Sequence, residues 1–257
     1  MVEPAAGTQL TLLGATETID ESRLPELYGY PADLSNCWVR ANFISTLDGA
    51  ATSDGTSGGL AGPGDRVLFR LMRELSDVIV VGAGTVRAEN YSGAQLSASQ
   101  RQGRQARGQS EIPPIAIVTR SGRLDRDTLV FTQTEVAPLV LTCTAAADRT
   151  RSLLHGIADV VDCSGRDPAN VDVATMLAVL ASRNLRRVLT EGGPSLLGTF
   201  IEHDLLDELC VTIAPTVVGG NAGRIATGTG HIQTQLRRAH LLADDSGFLY
   251  SRYVRGA

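Results

Sequence analysis

Apolar residues recur along this chain in two alternating rhythms, short continuous runs and longer stretches at helical spacing, and the alternation predicts a fold. The runs at 78–81, 115–119, 139–142, 160–163 and 188–190 are continuous enough to be strands covered on both faces, as in a parallel sheet. Between them, residues 65–75 place Val67, Leu68, Leu71, Met72 and Leu75 on one face of a helix, and 195–202 do the same with Leu196, Leu197, Phe200 and Ile201. Residues 145–154 and 171–182 read as further helices, 38–44 as the first strand, and 23–31 as one helical turn. The glycine-rich segment 45–64 reads as a long loop, and loops of that length are often functional. Residues 92–110, rich in Gln, Arg, Ser and Gly, read first as a surface loop with Arg101, Arg104 and Arg107 solvated and second as an anion contact. Beyond 202 the rhythm changes: 209–214, 236–242 and 248–254 are strand-like with no helix between them. The prediction is an α/β fold with a mainly parallel central sheet flanked by helices and antiparallel C-terminal strands. One domain is expected over residues 23–257, behind a polar tail at 1–22 that carries a short strand at 10–13.

Composition narrows the chemistry. The net charge is −5, against a nucleic-acid partner held through a broadly basic surface. All 23 cationic residues are arginine, so Schiff-base, Walker-type and general-base lysines are excluded, whereas bidentate capture of phosphate remains available. The four cysteines are widely spaced, with no CxxC, and read as small buried hydrophobes rather than a metal site. No apolar run approaches the ~18 residues of a membrane helix, and a cytoplasmic location without membrane partners is expected.

Three predicted strand ends carry glycine and hydroxyl residues: Gly82-Ala83-Gly84-Thr85, Thr119-Arg120-Ser121-Gly122 and Gly192-Gly193-Pro194-Ser195. In an open parallel sheet ligands bind beyond the carboxyl ends of strands, so the three turns could line one crevice. The third joins a strand to a helix through bare backbone, with Pro194 suited to the first helical position, and such an N-terminus favours phosphate. A tight turn without a ligand is the alternative for each. None matches GxGxxG, against an ordinary Rossmann site.

Asn42-Phe43-Ile44-Ser45-Thr46-Leu47-Asp48-Gly49, Val81-Gly82-Ala83-Gly84-Thr85-Val86-Arg87, Glu191-Gly192-Gly193-Pro194 and Ala214-Pro215-Thr216-Val217-Val218-Gly219-Gly220 resemble the signatures of the riboflavin-pathway pyrimidine reductases. The likeness runs from about Trp38 to Tyr253 and implies the dihydrofolate reductase-like fold of that family. It is strongest to stand-alone actinobacterial members with dihydrofolate reductase activity, which lack the fused zinc deaminase. NADPH is the implied cofactor, and a homodimer the implied assembly.

On that resemblance, Gly192, Gly193, Ser195 and Leu196 would present N–H groups to the pyrophosphate, and Gly82, Gly84 and Thr85 would form a second phosphate-facing turn, with Thr85 as a helix cap the alternative. Thr119, Arg120, Ser121 and Gly122 would hold the adenosine end, with Arg120 either on the 2′-phosphate or merely an exposed turn arginine. Asp65, opening a helix, is the expected proton-handling carboxylate, or simply an N-cap. Asn42, Ser45 and Asp48 would flank the heterocycle, with a turn at Asp48-Gly49 the alternative for the last, and Glu191, repelled by pyrophosphate, would point to substrate or a backbone donor. Many deaminase-fused relatives carry lysine where this chain has Asn42; an amide donates and accepts but brings no charge, which leaves the substrate open. The expected activity is reduction of a phosphorylated ribosylaminopyrimidine to its ribitylamino product. Alternatives are reduction of dihydrofolate and a non-catalytic nucleotide-binding role.

Overall fold

The computed structural model describes residues 17–230 and 232–256; the strand expected at 10–13 lies outside them. After a 3-10 turn at Glu21–Arg23 and a short helix α1 (Leu24–Leu27), the chain enters β1 (Trp38–Thr46). There follow α2 (Pro63–Leu75), β2 (Val78–Gly82), α3 (Ala83–Ala88), α4 (Ala98–Ala106), β3 (Ile115–Val118), α5 (Leu129–Thr132), β4 (Leu139–Thr142), α6 (Thr144–Leu153) and β5 (Asp159–Asp162). The last third comprises α7 (Val173–Ser182), β6 (Arg187–Thr190), α8 (Pro194–Glu202), β7 (Glu208–Ala214), β8 (Leu236–Ala243) and β9 (Leu249–Arg255).

The strands form one nine-stranded sheet in the order β5-β4-β3-β2-β6-β1-β7-β9-β8. Pairing is parallel from β5 through β7 and antiparallel for β7–β9 and β9–β8, the architecture expected from the change of rhythm after residue 202. Successive residues of β2 explain its unbroken apolar run. Ile79 and Val81 enter a core with Leu71 and Met72 of α2, whereas Val78 and Val80 enter a second core with Met176 and Leu180 of α7 and Leu197 and Phe200 of α8. Burying an aliphatic side chain of this kind contributes about 1.5–3 kcal/mol.

Three local expectations differ from the structure. β1 runs two residues beyond 44, so Ser45 lies in the strand, and the following loop is shortened further by a 3-10 turn at Gly58–Leu60. α2 begins at Pro63 with Gly62 as its cap, which places Asp65 inside the first turn rather than at the N-cap.

The third difference is α4, within the segment read as a surface loop. Ser97 and Gln100 close a capping box at its start, and Arg104 is fully buried. Arg104 donates to the carbonyls of Glu74 (2.7 Å) and Ser76 (2.5 Å), acceptors left open where α2 ends, and to that of Ser110 (2.7 Å) beyond its own helix. Arg101 pairs with Glu135, and Arg107 reaches Glu74 at 3.4 Å. These arginines therefore hold elements together instead of facing solvent unpaired.

Candidate active site

β6 lies between β1 and β2, although β2 follows β1 in the chain. The connections leaving β1 and β2 therefore diverge on either side of β6, and a crevice opens beyond its carboxyl end, as expected where strand order switches. A cleft of about 430 Å³ occupies this position. Asn42, Phe43 and Ile44 contribute from β1, Asp65, Phe69 and Arg73 from α2, Thr85 and Glu89 from the β2 side, and Glu191, Gly192 and Gly193 from the end of β6. Ser57 closes one margin, its N–H (2.8 Å) and hydroxyl (3.0 Å) both donating to Glu89.

Asp65 is partly buried on this wall. Burial pushes its carboxyl above the ordinary aspartate value, against the opposing pull of the Thr212 hydroxyl and of Arg66. A carboxyl held in its neutral form more readily than usual can deliver a proton. Asp65, Phe69 and Arg73 recur every four residues, which aligns them along one face of α2.

The carboxylate of Glu191, at the margin of the cleft, is held by side chains rather than by a backbone donor. Arg73 grips it through Nε (2.8 Å) and Nη2 (2.7 Å), and the Tyr91 hydroxyl donates to the same group. Side-chain exposure is 2% for Glu191 and 14% for Arg73, whose guanidinium lies 4.1 Å from the Phe69 ring centroid. A carboxylate beside pyrophosphate is unfavourable, and the guanidinium fork neutralises it. Arg73 and Tyr91 were missed by sequence reading; its place two four-residue steps from Asp65, through Phe69, was a local signal for Arg73.

The glycines let the β2 and β6 turns and β1 approach one another closely. A Cβ on Gly193 would stand 2.7 Å from Thr85 Oγ1, and Gly192 has φ +109° with the Phe43 ring 3.4 Å from where its Cβ would be. Gly82 N–H donates to Gly192 O at 2.7 Å, joining the β2 and β6 turns, and Gly84 is exposed with open space around it. Ser195 is exposed at the start of α8. Leu196, in contrast, is buried and its N–H already donates to Gly193 O (3.0 Å).

The β3 turn stands next to the β2 turn in strand order but does not line the cleft. Thr119 is buried and accepts from Gly122 N–H (3.1 Å), while Gly122, at φ +60°, is packed against Thr150. Arg120 and Ser121 are exposed, and Arg149 of α6 donates to Ser121 O. Two substrate-side expectations also fall outside the cleft. Ser45 is buried and turns its hydroxyl to Thr46 O (3.1 Å). Asp48 accepts from the N–H groups of Val218 (3.3 Å) and Gly219 (2.7 Å) and from the Thr46 hydroxyl, which, with Thr46 the strongest contributor, hold its carboxyl below the usual range. Asp48 ties two loops together.

A family profile described as RibD C-terminal domain matches residues 37–250. The chain is 28% identical over 216 residues to the 2,5-diamino-6-ribosylamino-4(3H)-pyrimidinone 5′-phosphate reductase of Methanothermobacter thermautotrophicus, covering 81% of this chain and 94% of that one. It is also 28% identical to the riboflavin biosynthesis protein RibD of Corynebacterium ammoniagenes, over 83% of this chain but 53% of that longer protein. Among solved structures, a pyrimidine reductase-like protein from Corynebacterium diphtheriae superposes with a TM-score of 0.77 at 26% identity, covering 86% of this chain and 92% of the other.

Proposed function

This chain belongs to the RibD C-terminal domain family, and from that premise we propose that it is an NADPH-dependent reductase of the riboflavin pathway. Its substrate is the phosphorylated ribosylaminopyrimidine and its product the ribitylamino compound. The observation that carries the reading is Asp65, a carboxyl raised by burial, lining the same cleft as the bare Gly192-Gly193 turn. Relatives named as pyrimidine reductases support it.

Gly82, Gly84, Thr85, Gly192, Gly193 and Ser195 would hold the dinucleotide phosphates, and Arg120 and Ser121 its adenosine end. The cofactor, when bound, supplies a hydride. Asn42 orients the heterocycle by donating and accepting along its edge. Asp65 holds the proton that must arrive with the hydride, and Phe43 and Phe69 keep water from the reacting face. Glu191 acts only through Arg73, Ser45 supports β1, and Asp48 fixes the rim.

Dihydrofolate is a second candidate substrate, favoured by the same Asp65 carboxyl and by the uncharged Asn42. NADPH absorbance followed with each heterocycle in parallel tests both readings. Faster turnover of the pyrimidine supports the first and faster turnover of dihydrofolate the second. No oxidation with either at saturation refutes both and leaves a non-catalytic nucleotide-binding role. The assembly we propose is a homodimer, supported by β8, which among the described residues pairs with β9 alone and leaves its outer edge open. Among the described residues no helix is long and apolar enough to cross a membrane, and a cytoplasmic location is part of the reading.

A further inference from the structure

We propose that Arg73, Glu191 and Tyr91 form a positioning clamp that fixes the helix bearing Asp65 against the turn that receives the nucleotide. The inference rests on the reading of the cleft as a reductase site. Each member comes from a different segment: Arg73 from the last turn of α2, Glu191 from the residue after β6, and Tyr91 from the connection beyond α3. Two parallel N–H···O bonds fix the planes of guanidinium and carboxylate relative to one another, and the hydroxyl adds a third direction. The Phe69 and Tyr91 rings, at 4.1 and 5.2 Å from the guanidinium carbon, restrict it further.

Placement makes this more than an ordinary buried pair. Glu191 is covalently adjacent to Gly192, whose carbonyl accepts from Gly82 and whose neighbour Gly193 abuts Thr85. Arg73 is eight residues from Asp65 along one straight helix, a rise of about 12 Å. A shift of α2 along its axis therefore moves Asp65 relative to the nucleotide turn by the same amount; Arg104 and Gln109 hold the end of the helix through the carbonyls of Glu74, Ser76 and Leu75, but the Arg73–Glu191 contact alone among these ties it directly to the residue that precedes the turn. Packing of Leu68, Leu71 and Met72 resists separation of the helix from the sheet but is less selective for such sliding. Buried ion pairs are frequently replaceable by apolar groups without loss of stability, so a functional role has a separate signature.

The test compares wild type with the double variant Arg73→Met/Glu191→Leu and the milder Tyr91→Phe. Melting temperature, NADPH dissociation constant by nucleotide fluorescence, and kcat are read for each. We expect the double variant to melt near the wild-type temperature while its NADPH dissociation constant rises about tenfold and kcat falls about a hundredfold, as a misplacement near 1 Å would cause. Tyr91→Phe should raise the dissociation constant about threefold, and it keeps the test decisive if the double variant does not fold. Wild-type-like nucleotide affinity in the folded variants overturns the clamp. If the wild-type protein binds NADPH but turns over neither heterocycle, the functional reading fails while the affinity shifts still decide the clamp. A wild-type protein that does not bind NADPH overturns both.

Discussion

Asp65→Asn exchanges a proton-carrying carboxyl for an amide of nearly the same shape, and so isolates the proton from the packing. A positioned general acid contributes about 10²–10⁴ in rate, equivalent to about 3–5 kcal/mol of transition-state stabilisation. The expected loss in kcat lies in that range. NADPH affinity should stay within about twofold, because Asp65 sits on α2 and the candidate phosphate groups sit on the β2 and β6 turns. Stability should move the other way. Burial raises the folded-state pKa of Asp65, so ionised Asp65 disfavours the folded state at pH values above that pKa, and the penalty disappears as pH falls through it. The amide carries no charge to desolvate, and the variant should melt at or above the wild-type temperature at neutral pH. Wild-type activity should decline as pH rises through the elevated pKa, a limb that the variant lacks. Stopped-flow absorbance at 340 nm over a pH series, together with nucleotide titration and thermal melts, checks all four. Retention of kcat within about threefold, or a loss explained by weaker NADPH binding, would refute the assignment.

Other substitutions probe the frame around the site. Arg104→Ala strips a donor from the carbonyls of Glu74, Ser76 and Ser110; Ser110 is exposed and Glu74 O keeps the Arg107 donor, so the buried Ser76 acceptor dominates and urea melts should show a loss of about 1–3 kcal/mol. Gly198→Ala would place a Cβ 1.9 Å from Thr227 O, so about 1–3 kcal/mol of overpacking is expected in thermal unfolding, whereas Gly84→Ala, with nothing within 4 Å, should melt like wild type. His240 packs edge-on against Tyr28, and burial lowers its pKa to about 4, with Arg252 adding to the shift. The unfolded chain therefore binds more protons than the folded one as pH falls from about 6.5 to about 4, and stability should drop across that window. His240→Gln should flatten the drop when melting temperature is followed against pH.

The residues that sequence reading located well are those whose cause is local. Val78 to Val81 are apolar on both sides because both faces of β2 are covered, and that leaves an unbroken hydrophobic run. Gly192, Gly193 and Pro194 declare a strand-to-helix turn by backbone chemistry alone. α4 had a local signal too, the Ser97-to-Gln100 capping box, but a predominantly polar surface outweighed it and the buried role of Arg104 depends on carbonyls about thirty residues away. Asp48 does sit in a turn, with the Gly49 N–H donating to Thr46 O and the Thr46 hydroxyl to its carboxylate, yet its N–H partners on Val218 and Gly219 lie 170 and 171 residues later. The contact between Arg73 and Glu191 spans 118 residues and leaves no periodic trace. What escapes local reading is the pairing of charges, because a salt bridge constrains two positions without patterning the residues between them.

Strand order supplies the remaining link between motif and site. If β6 had joined the outer edge beyond β5, its Gly-Gly turn would still have been a good anion site, but Asn42 and Thr85 would not have faced it. Insertion between β1 and β2 brings a wall made mostly of backbone against a wall made of side chains. The backbone wall offers N–H groups and bare glycine, tolerates little substitution, and needs no lysine to meet phosphate. The side-chain wall, with Asn42, Asp65 and Phe69, can vary without disturbing the turns. Substrate preference in this chain is therefore expected to respond to changes at those three positions, while nucleotide affinity responds to changes at Gly82, Gly192 and Gly193. Reciprocal behaviour, with Asn42 variants losing NADPH but keeping their choice between pyrimidine and pterin, would mean that the two walls have been assigned the wrong way round.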